Sequence, residues 1–267
     1  MDADWPGHPP DFSKPPRGEL TVAQVAAMID HSLLRPELTL DDVTAGCEIA
    51  ATHEVMSVCC KPADVVHAGR VLTGTDVLVG TVVGFPHGSS TTETKVFEAR
   101  GALDDGAREL DMVINIGRLR GGDHAYVAAD IRAIVEVAAT ADALVKVIFE
   151  NAYLTDEEKV VACHLTEDAG ADFVKTSTGF AASGATMEDL ILMRRSVGPA
   201  MQVKAAGGVR TLDTLLAMVA IGVSRFGATV TVAMLADAKE RAAIGELRVP
   251  SGQATAAEAV TADAHQY

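Results

Sequence analysis

The stretches ADFVKTSTG (171–179) and MQVKAAGGV (201–209) each end a short apolar run with a lysine, followed at once by small residues and glycine. This pattern predicts two successive parallel strands joined by a helix, with Lys175 and Lys204 at their carboxyl ends. A charged lysine is costly to leave unpaired there, and two neighbouring cations disfavour each other. The pattern therefore favours one neutral, nucleophilic lysine and a second that helps to keep it neutral. Two alternatives remain open: both lysines bind phosphate, or Lys204 only pairs with a carboxylate.

Strand and helix patterns alternate along most of the chain. Strands are predicted at 27–32, 55–60, 77–85, 109–115, 143–150, 172–178, 201–205 and 224–228. Helices are predicted at 40–53, 62–73, 91–106, 123–141, 155–169, 186–197, 211–221 and 229–241. Eight βα units in a row predict an α/β fold, a (β/α)8 TIM barrel in a single domain. The G-x-G-x-x-G motif is absent after the first strand, which disfavours an open dinucleotide-binding sheet.

The barrel is expected to occupy residues 21–242 as the catalytic domain. Residues 1–20 contain five of the ten prolines and are predicted to form a disordered N-terminal arm. Residues 243–267 are rich in Ala, Thr and Glu without an apolar period, so a flexible C-terminal tail is predicted.

The composition argues against several classes of function. With 22 basic against 37 acidic residues the formal charge is −15, so a nucleic-acid partner is not expected. The longest apolar stretches are too short to span a bilayer, and no secretory signal is recognised, so we expect a cytoplasmic protein with no membrane partner. The four cysteines and eight histidines lack zinc-ligand spacing, so neither a metal nor a cofactor is expected.

Charged residues are predicted to point into the barrel. Alternate residues of a strand face opposite sides, so the apolar set Leu110, Met112 and Ile114 turns Asp111 inward. The same reasoning turns these residues inward: Asp30, Ser32, Cys59, Lys146, Glu150, Lys175 and Lys204. Among them, Asp30, Ser32, Cys59 and Lys146 are expected to bind the substrate. Six ionisable groups in a lumen that Val, Ile and Leu normally fill indicate a functional site. The alternative is an ion-pair network that only stabilises the fold, although buried ion pairs are poor stabilisers.

Small residues and glycine follow the last three predicted strands. Thr178 and Gly179 lie at the end of the sixth strand, Gly207 and Gly208 follow the seventh, and Thr229 lies at the start of the last helix. Barrel enzymes often bind phosphate with the loops after strands seven and eight and with a helix N-terminus. A phosphate site is therefore predicted at this end of the barrel. The alternative for any one loop is a tight βα turn without a ligand.

These segments resemble the deoxyribose-phosphate aldolase family, class I aldolases encoded by bacterial deoxynucleoside catabolic operons. The similarity runs from DHSLL (30–34) to RFGA (225–228), nearly the whole predicted barrel. It passes through VGFPHG (83–88), ELDMVINIG (109–117), LVKVIFE (144–150), FVKTSTGF (173–180) and VKAAGGVRTL (203–212). The FVKTSTG and K-x-x-G-G-V-R-T segments are highly specific when they occur together.

The resemblance implies that Lys175 forms a Schiff base, that Lys204 perturbs it and that Asp111 relays protons. The implied reaction is reversible cleavage of 2-deoxy-D-ribose 5-phosphate to acetaldehyde and D-glyceraldehyde 3-phosphate, in deoxyribonucleoside catabolism. Expected partners are therefore small phosphosugar and aldehyde substrates, and a homodimer is a further expectation. Family members commonly carry a serine pair where this chain has Thr229 and Val230, so one hydroxyl donor to phosphate is missing. Two alternatives remain: a phosphosugar isomerase without covalent chemistry, and a non-catalytic phosphosugar-binding barrel.

Overall fold

Eight parallel strands close into a barrel in chain order, in a computed structural model that describes residues 18–251. The strands are β1 Ile29–Leu33, β2 Ser57–Cys60, β3 Leu78–Val83, β4 Glu109–Val113, β5 Leu144–Ile148, β6 Phe173–Lys175, β7 Gln202–Ala206 and β8 Arg225–Ala228. Each strand pairs with its two chain neighbours, and β8 closes the sheet by pairing with β1. The predicted TIM barrel is confirmed.

Helices surround the barrel and connect its strands. The helices are α1 Val22–Ala26, α2 Leu40–Thr52, α3 Val65–Val71, α4 Thr92–Asp104, α5 Ile116–Arg120, α6 His124–Ala139, α7 Asp156–Asp168, α8 Met187–Arg195, α9 Leu212–Ala220 and α10 Thr231–Ala243. Short 3-10 turns cover Pro62–Asp64 and Asn151–Tyr153. The sequence patterns do not predict α1 and α5, because each has five residues and is too short to show a helical period.

Threonine side chains cap the start of most of the longer helices. Thr39, Thr155 and Thr211 each accept a hydrogen bond from a backbone N–H in the first turn of the helix that follows. Helix α10 differs, because Val230 occupies the capping position and makes no side-chain hydrogen bond there. The first-turn N–H groups of α10 therefore have no side-chain acceptor from the capping residue.

Part of each predicted tail is ordered. The amide of Leu20 donates to the carbonyl of Leu247, and the amide of Val249 donates to the carbonyl of Gly18, both at 2.9 Å. Leu247 is also buried in the core between the barrel and the helices. The ordered unit therefore extends at both ends beyond the expected limits of 21–242. The rest of the predicted N-terminal arm (1–17) and C-terminal tail (252–267) lies outside the described residues.

The apolar core lies between the strands and the helices. Leu110, Met112, Val145 and Val203 are all at most 1% exposed and face this layer, as the alternation of the strands predicts. Burying such side chains stabilises the fold by about 1.5–3 kcal/mol each. The opposite faces of the same strands are thereby fixed toward the lumen. No helix within residues 18–251 is long and apolar enough to cross a membrane.

Candidate active site

Seven ionisable side chains meet inside the barrel, and none is more than 3% exposed. They are Asp30, Glu109, Asp111, Lys146, Lys175, Lys204 and Arg225. The parallel register places Lys175 directly beside Lys204 and Asp111 directly beside Lys146. The structure therefore brings together both lysines and the aspartate that the sequence analysis singled out.

Asp111 joins the two lysines through a single oxygen atom. Its Oδ2 lies 2.6 Å from Nζ of Lys175 and 2.7 Å from Nζ of Lys204. Its other oxygen, Oδ1, is 3.2 Å from Nζ of Lys146 but accepts no well-aligned hydrogen bond from the described residues. A carboxylate with one occupied and one free oxygen can hold the lysines and still exchange a proton with a bound molecule or water.

Asp30 contacts four other side chains inside the barrel. It contacts Lys204 at 2.5 Å and Lys146 at 3.2 Å, and Arg225 donates to it at 2.9 Å. The hydroxyl of Ser57 donates a further hydrogen bond at 2.8 Å. Asp30 therefore belongs to the ion-pair network that supports the two lysines, although the sequence analysis assigned it to substrate binding.

Glu109 and Arg225 also belong to this ion-pair network. Neither was included among the residues predicted to face the lumen. Glu109 contacts Nζ of Lys146 at 2.5 Å and also accepts a hydrogen bond from Arg225. The sequence did carry a signal for both. Glu109 has the same strand parity as Asp111, and the outward-facing Phe226 turns Arg225 inward.

The charges in the lumen balance when one lysine is neutral. Three carboxylates face four cationic groups, so neutralising one cation leaves no net charge among these buried side chains. An uncompensated buried charge is costly, and the excess proton is therefore the easiest to lose. The balance alone does not say which cation loses it.

Local environment identifies that cation as Lys175. Burial lowers the pKa of Lys175, and the positive charge of Lys204 lowers it further, against the attraction of Asp111. Burial also opposes the charge on Lys204, yet the attraction of Asp111 and Asp30 raises the pKa of Lys204 above its usual value. Two carboxylates contact Lys204 and only one contacts Lys175, so Lys204 is the lysine that keeps its proton.

Glu150 lies beyond the end of β5, and its carboxylate forms none of the ion pairs found among the described lumen residues. Strand β5 ends at Ile148, and Glu150 adopts a left-handed backbone conformation with φ of 58°. Its carboxylate accepts hydrogen bonds from the backbone amide of Thr178, at 3.2 Å, and from the hydroxyl of the same residue. The alternation rule does not extend to Glu150, because it holds only while the backbone remains extended.

Comparison with known proteins identifies the family. The model of the DeoC/LacD family aldolases matches residues 24–239. The chain belongs to this family. It is 54% identical over 216 residues to a deoxyribose-phosphate aldolase of Bacillus mycoides, covering 80% of this chain and 96% of the relative. It is 51% identical to the deoxyribose-phosphate aldolase of Thermococcus gammatolerans, with the same coverage.

A solved structure supports the same assignment. The deoxyribose phosphate aldolase of Aeropyrum pernix, described as a tetramer, superposes with a TM-score of 0.75 at 29% identity. The superposition covers 82% of this chain and 92% of that protein. The barrel of this DeoC/LacD family member is therefore that of an aldolase.

Two more residues that were predicted to bind the substrate, Ser32 and Cys59, lie on β1 and β2. Cys59 lies inside, packed with Leu34 and Val82, and burial raises the pKa of its thiol to about 11. Ser32 is half-buried at the end of β1. A cysteine with a raised pKa is a poor nucleophile, so Cys59 contributes an apolar wall rather than a thiolate. Among residues 18–251, no group of three His, Cys, Asp or Glu side chains could hold a metal ion.

The three loops predicted to bind phosphate lie at adjacent strand ends. Gly179, Gly207 and Gly208 all have positive φ, between 79° and 86°, which favours glycine. A Cβ atom on Gly207 would lie 2.9 Å from the backbone Cα of Gly184, so that position also requires close approach. The hydroxyl of Thr178 donates a hydrogen bond to the carboxylate of Glu150, and Thr229 is exposed next to the start of α10.

Proposed function

We propose that this chain cleaves 2-deoxy-D-ribose 5-phosphate reversibly to acetaldehyde and D-glyceraldehyde 3-phosphate, in deoxyribonucleoside catabolism. The names of its relatives from Bacillus mycoides and Thermococcus gammatolerans support the substrate. The observation that supports a Schiff base on Lys175 is the shared oxygen of Asp111, which lies 2.6 Å from Lys175, whose pKa burial and Lys204 lower, and 2.7 Å from Lys204. No cofactor is needed for this chemistry.

The reaction begins when the neutral Nζ of Lys175 attacks the C1 aldehyde of the open-chain sugar. Loss of water from the carbinolamine gives an iminium ion, which withdraws electrons from the C2–C3 bond. Removal of the proton from the C3 hydroxyl breaks that bond, releases D-glyceraldehyde 3-phosphate and leaves an enamine on Lys175. Protonation at C2 and hydrolysis then release acetaldehyde and regenerate the amine.

Asp111 is the proposed proton relay for these steps. Its Oδ1 is the lumen oxygen without a well-aligned donor among the described residues, so it can accept a proton directly or through one water. Burial alone would raise the pKa of Asp111, but Lys146, Lys175 and Lys204 together lower it well below the usual value, so the carboxylate is ionised before the substrate binds. The charged Lys204 stays beside it and stabilises the negative charge.

The phosphate group is proposed to bind at the far end of the substrate, against backbone amides. Gly207 and Gly208 follow β7, and the uncapped first turn of α10 offers further N–H donors close to Thr229. A helix N-terminus adds a favourable potential for an anion. Backbone donors do not depend on side-chain identity, which makes valine acceptable at position 230.

Borohydride reduction in the presence of acetaldehyde tests the proposal. An aldolase of this class becomes covalently modified, and the added mass is expected on the peptide that contains FVKTSTG. Lys95 provides an internal control, because it is a wholly buried lysine paired with Asp130 outside the lumen and should remain unmodified. Modification of Lys146 or Lys204 instead would disprove the assignment of the nucleophile. Absence of any adduct would favour the isomerase or the non-catalytic barrel.

Assembly and location are separate expectations. The relative from Aeropyrum pernix is a tetramer by its description, whereas a homodimer is expected for this chain. Light scattering on the purified protein distinguishes the two states. The cytoplasmic location also remains a prediction, which fractionation of the source cells would test.

A further inference from the structure

A buried histidine of β1 contacts the first residue of α10. His31 lies between Asp30, which faces the lumen, and Ser32, and its ring points to the opposite side of the strand. Its Nδ1 is 2.8 Å from Oγ1 of Thr231, which is 200 positions away in the chain. His31 is 5% exposed and Thr231 is fully buried. The reaction proposed above uses neither residue.

This contact lies directly behind the loop between β8 and α10. In the barrel, His31 pairs with Ala228, the last residue of β8, so it is level with the point where the loop begins. Thr231 is the point where the loop ends and the helix begins. The strand β1 therefore contacts the loop that contains Thr229 and Val230 at both of its ends, through backbone pairing with Ala228 and through the hydrogen bond to Thr231.

The capping residue of α10, Val230, makes no side-chain hydrogen bond to the first turn of the helix. The six other described helices of eight or more residues each have a Thr or Asp cap bonded to a first-turn amide. Such a cap would fix α10 but would occupy an N–H group that an anion could use. The hydroxyl of Thr231 fixes the helix start through His31 instead, and this leaves the first-turn N–H groups available.

We propose that His31 and Thr231 are positioning residues that hold the first turn of α10 in place for the substrate phosphate. The inference rests on the proposed function, which places the phosphate at this turn. The two side chains act from behind the loop and do not touch the substrate. They are also separated from Lys175 by the wall of the barrel, so the covalent chemistry does not depend on them.

The histidine is suited to this role because it remains uncharged. Burial, with a smaller effect of the nearby His53, lowers the pKa of His31 to about 4. A neutral imidazole can either donate to or accept from the threonine hydroxyl, depending on its tautomer. The bond therefore persists through the neutral range without placing a second charge beside the phosphate.

The test compares two substrates that share the chemistry and differ in the phosphate. Thr231→Val removes the hydroxyl with little change of shape, and it should raise KM for 2-deoxy-D-ribose 5-phosphate about fivefold or more, the effect of one lost hydrogen bond. Cleavage of unphosphorylated 2-deoxy-D-ribose should keep a kcat/KM within about twofold of the parent enzyme, because the phosphate site is not used. Thr231→Ser retains the hydroxyl and should restore the KM.

A matched control separates positioning from loss of stability. Thr166 is also a fully buried helical threonine, and its hydroxyl has no hydrogen-bond partner among the described residues. Thr166→Val should therefore leave KM unchanged for both substrates. A double-mutant cycle with His31→Leu should show that the effects of the two changes on KM are not additive, as expected for residues in contact.

Calorimetric titration with inorganic phosphate tests the inference without any turnover. Thr231→Val should weaken phosphate binding about fivefold relative to Thr166→Val. Equal losses for both substrates, or unchanged phosphate affinity, would overturn the positioning role and leave the aldolase function intact. Conversely, a parent enzyme that binds phosphate but forms no Schiff base would overturn the proposed function, while the phosphate titration would still decide the role of His31 and Thr231.

Discussion

Replacement of Lys204 by leucine tests the central electrostatic argument. Nζ of Lys175 and Nζ of Lys204 contact the same oxygen of Asp111, at 2.6 and 2.7 Å, so they lie no farther than roughly 5 Å from each other. Two unit charges at that separation repel by about 3 kcal/mol at an effective dielectric constant of about 20. This repulsion is removed in Lys204→Leu, and Lys175 then holds its proton more tightly.

The expected result is a change in the pH dependence of the rate. The neutral amine is the reactive form, so the acid limb of kcat/KM should move to higher pH when the pKa of Lys175 rises. Because about 1.4 kcal/mol corresponds to a factor of ten, activity at neutral pH should fall roughly 100-fold or more. Raising the pH should recover part of the loss, since it restores the neutral amine.

Two control variants distinguish charge from structure. Lys204→Arg keeps the cation, so its acid limb should stay in place even if its geometry lowers the rate. Lys95→Met removes a lysine that is equally buried but paired with Asp130 on α6, so it should lower stability and leave the pH profile unchanged. A Lys204→Leu enzyme that loses the same activity at every pH would refute the reasoning. Lys204 would then be a phosphate ligand or a structural residue.

Most of the site could be predicted because strands impose a simple rule. Within β4, β6 and β7, side chains alternate between the core and the lumen, and the apolar residues mark the core side. That rule placed Asp111, Lys175 and Lys204 correctly without any knowledge of distances. Applied to the first residue of β4 and of β8 it would also have found Glu109 and Arg225.

The pairing of charges could not be predicted from the same pattern. Which oxygen of Asp111 each lysine meets depends on the register and tilt of eight strands, and these emerge only when the barrel closes. The hydrogen bond of Glu150 to Thr178 likewise joins residues 28 positions apart, so no local pattern predicts it. The bond between His31 and Thr231 links opposite ends of the chain and leaves no local signal in the sequence.

Three further predictions follow from the lumen, the phosphate loops and the buried histidine. Asp111→Asn should lower kcat at least 100-fold, roughly the contribution of a general base, and should also destabilise the fold by about 3 kcal/mol because Lys204 loses a counter-charge. Retained turnover, measured together with urea unfolding, would favour a purely structural network. Val230→Ser adds a hydroxyl that can donate to the bound phosphate, so it should lower KM for the phosphorylated sugar several-fold, by about 1 kcal/mol, with kcat unchanged; a higher KM would show that the serine instead caps α10 and takes an N–H group from the phosphate. Gly208→Val should raise that KM far more, because its φ of 86° disfavours a side chain; an unchanged KM would place the phosphate elsewhere. Finally, burial lowers the pKa of His31 to about 4, against 6.5 for a free histidine. Between these two pH values the histidine binds a proton in the unfolded chain but stays neutral in the folded protein. Stability from this group is complete above pH 6.5 and is lost as the pH falls toward 4, by about 3 kcal/mol in total. Urea unfolding of His31→Asn should therefore show a smaller loss of stability across this interval than the parent protein, and parallel losses would show that His31 is already protonated in the folded state.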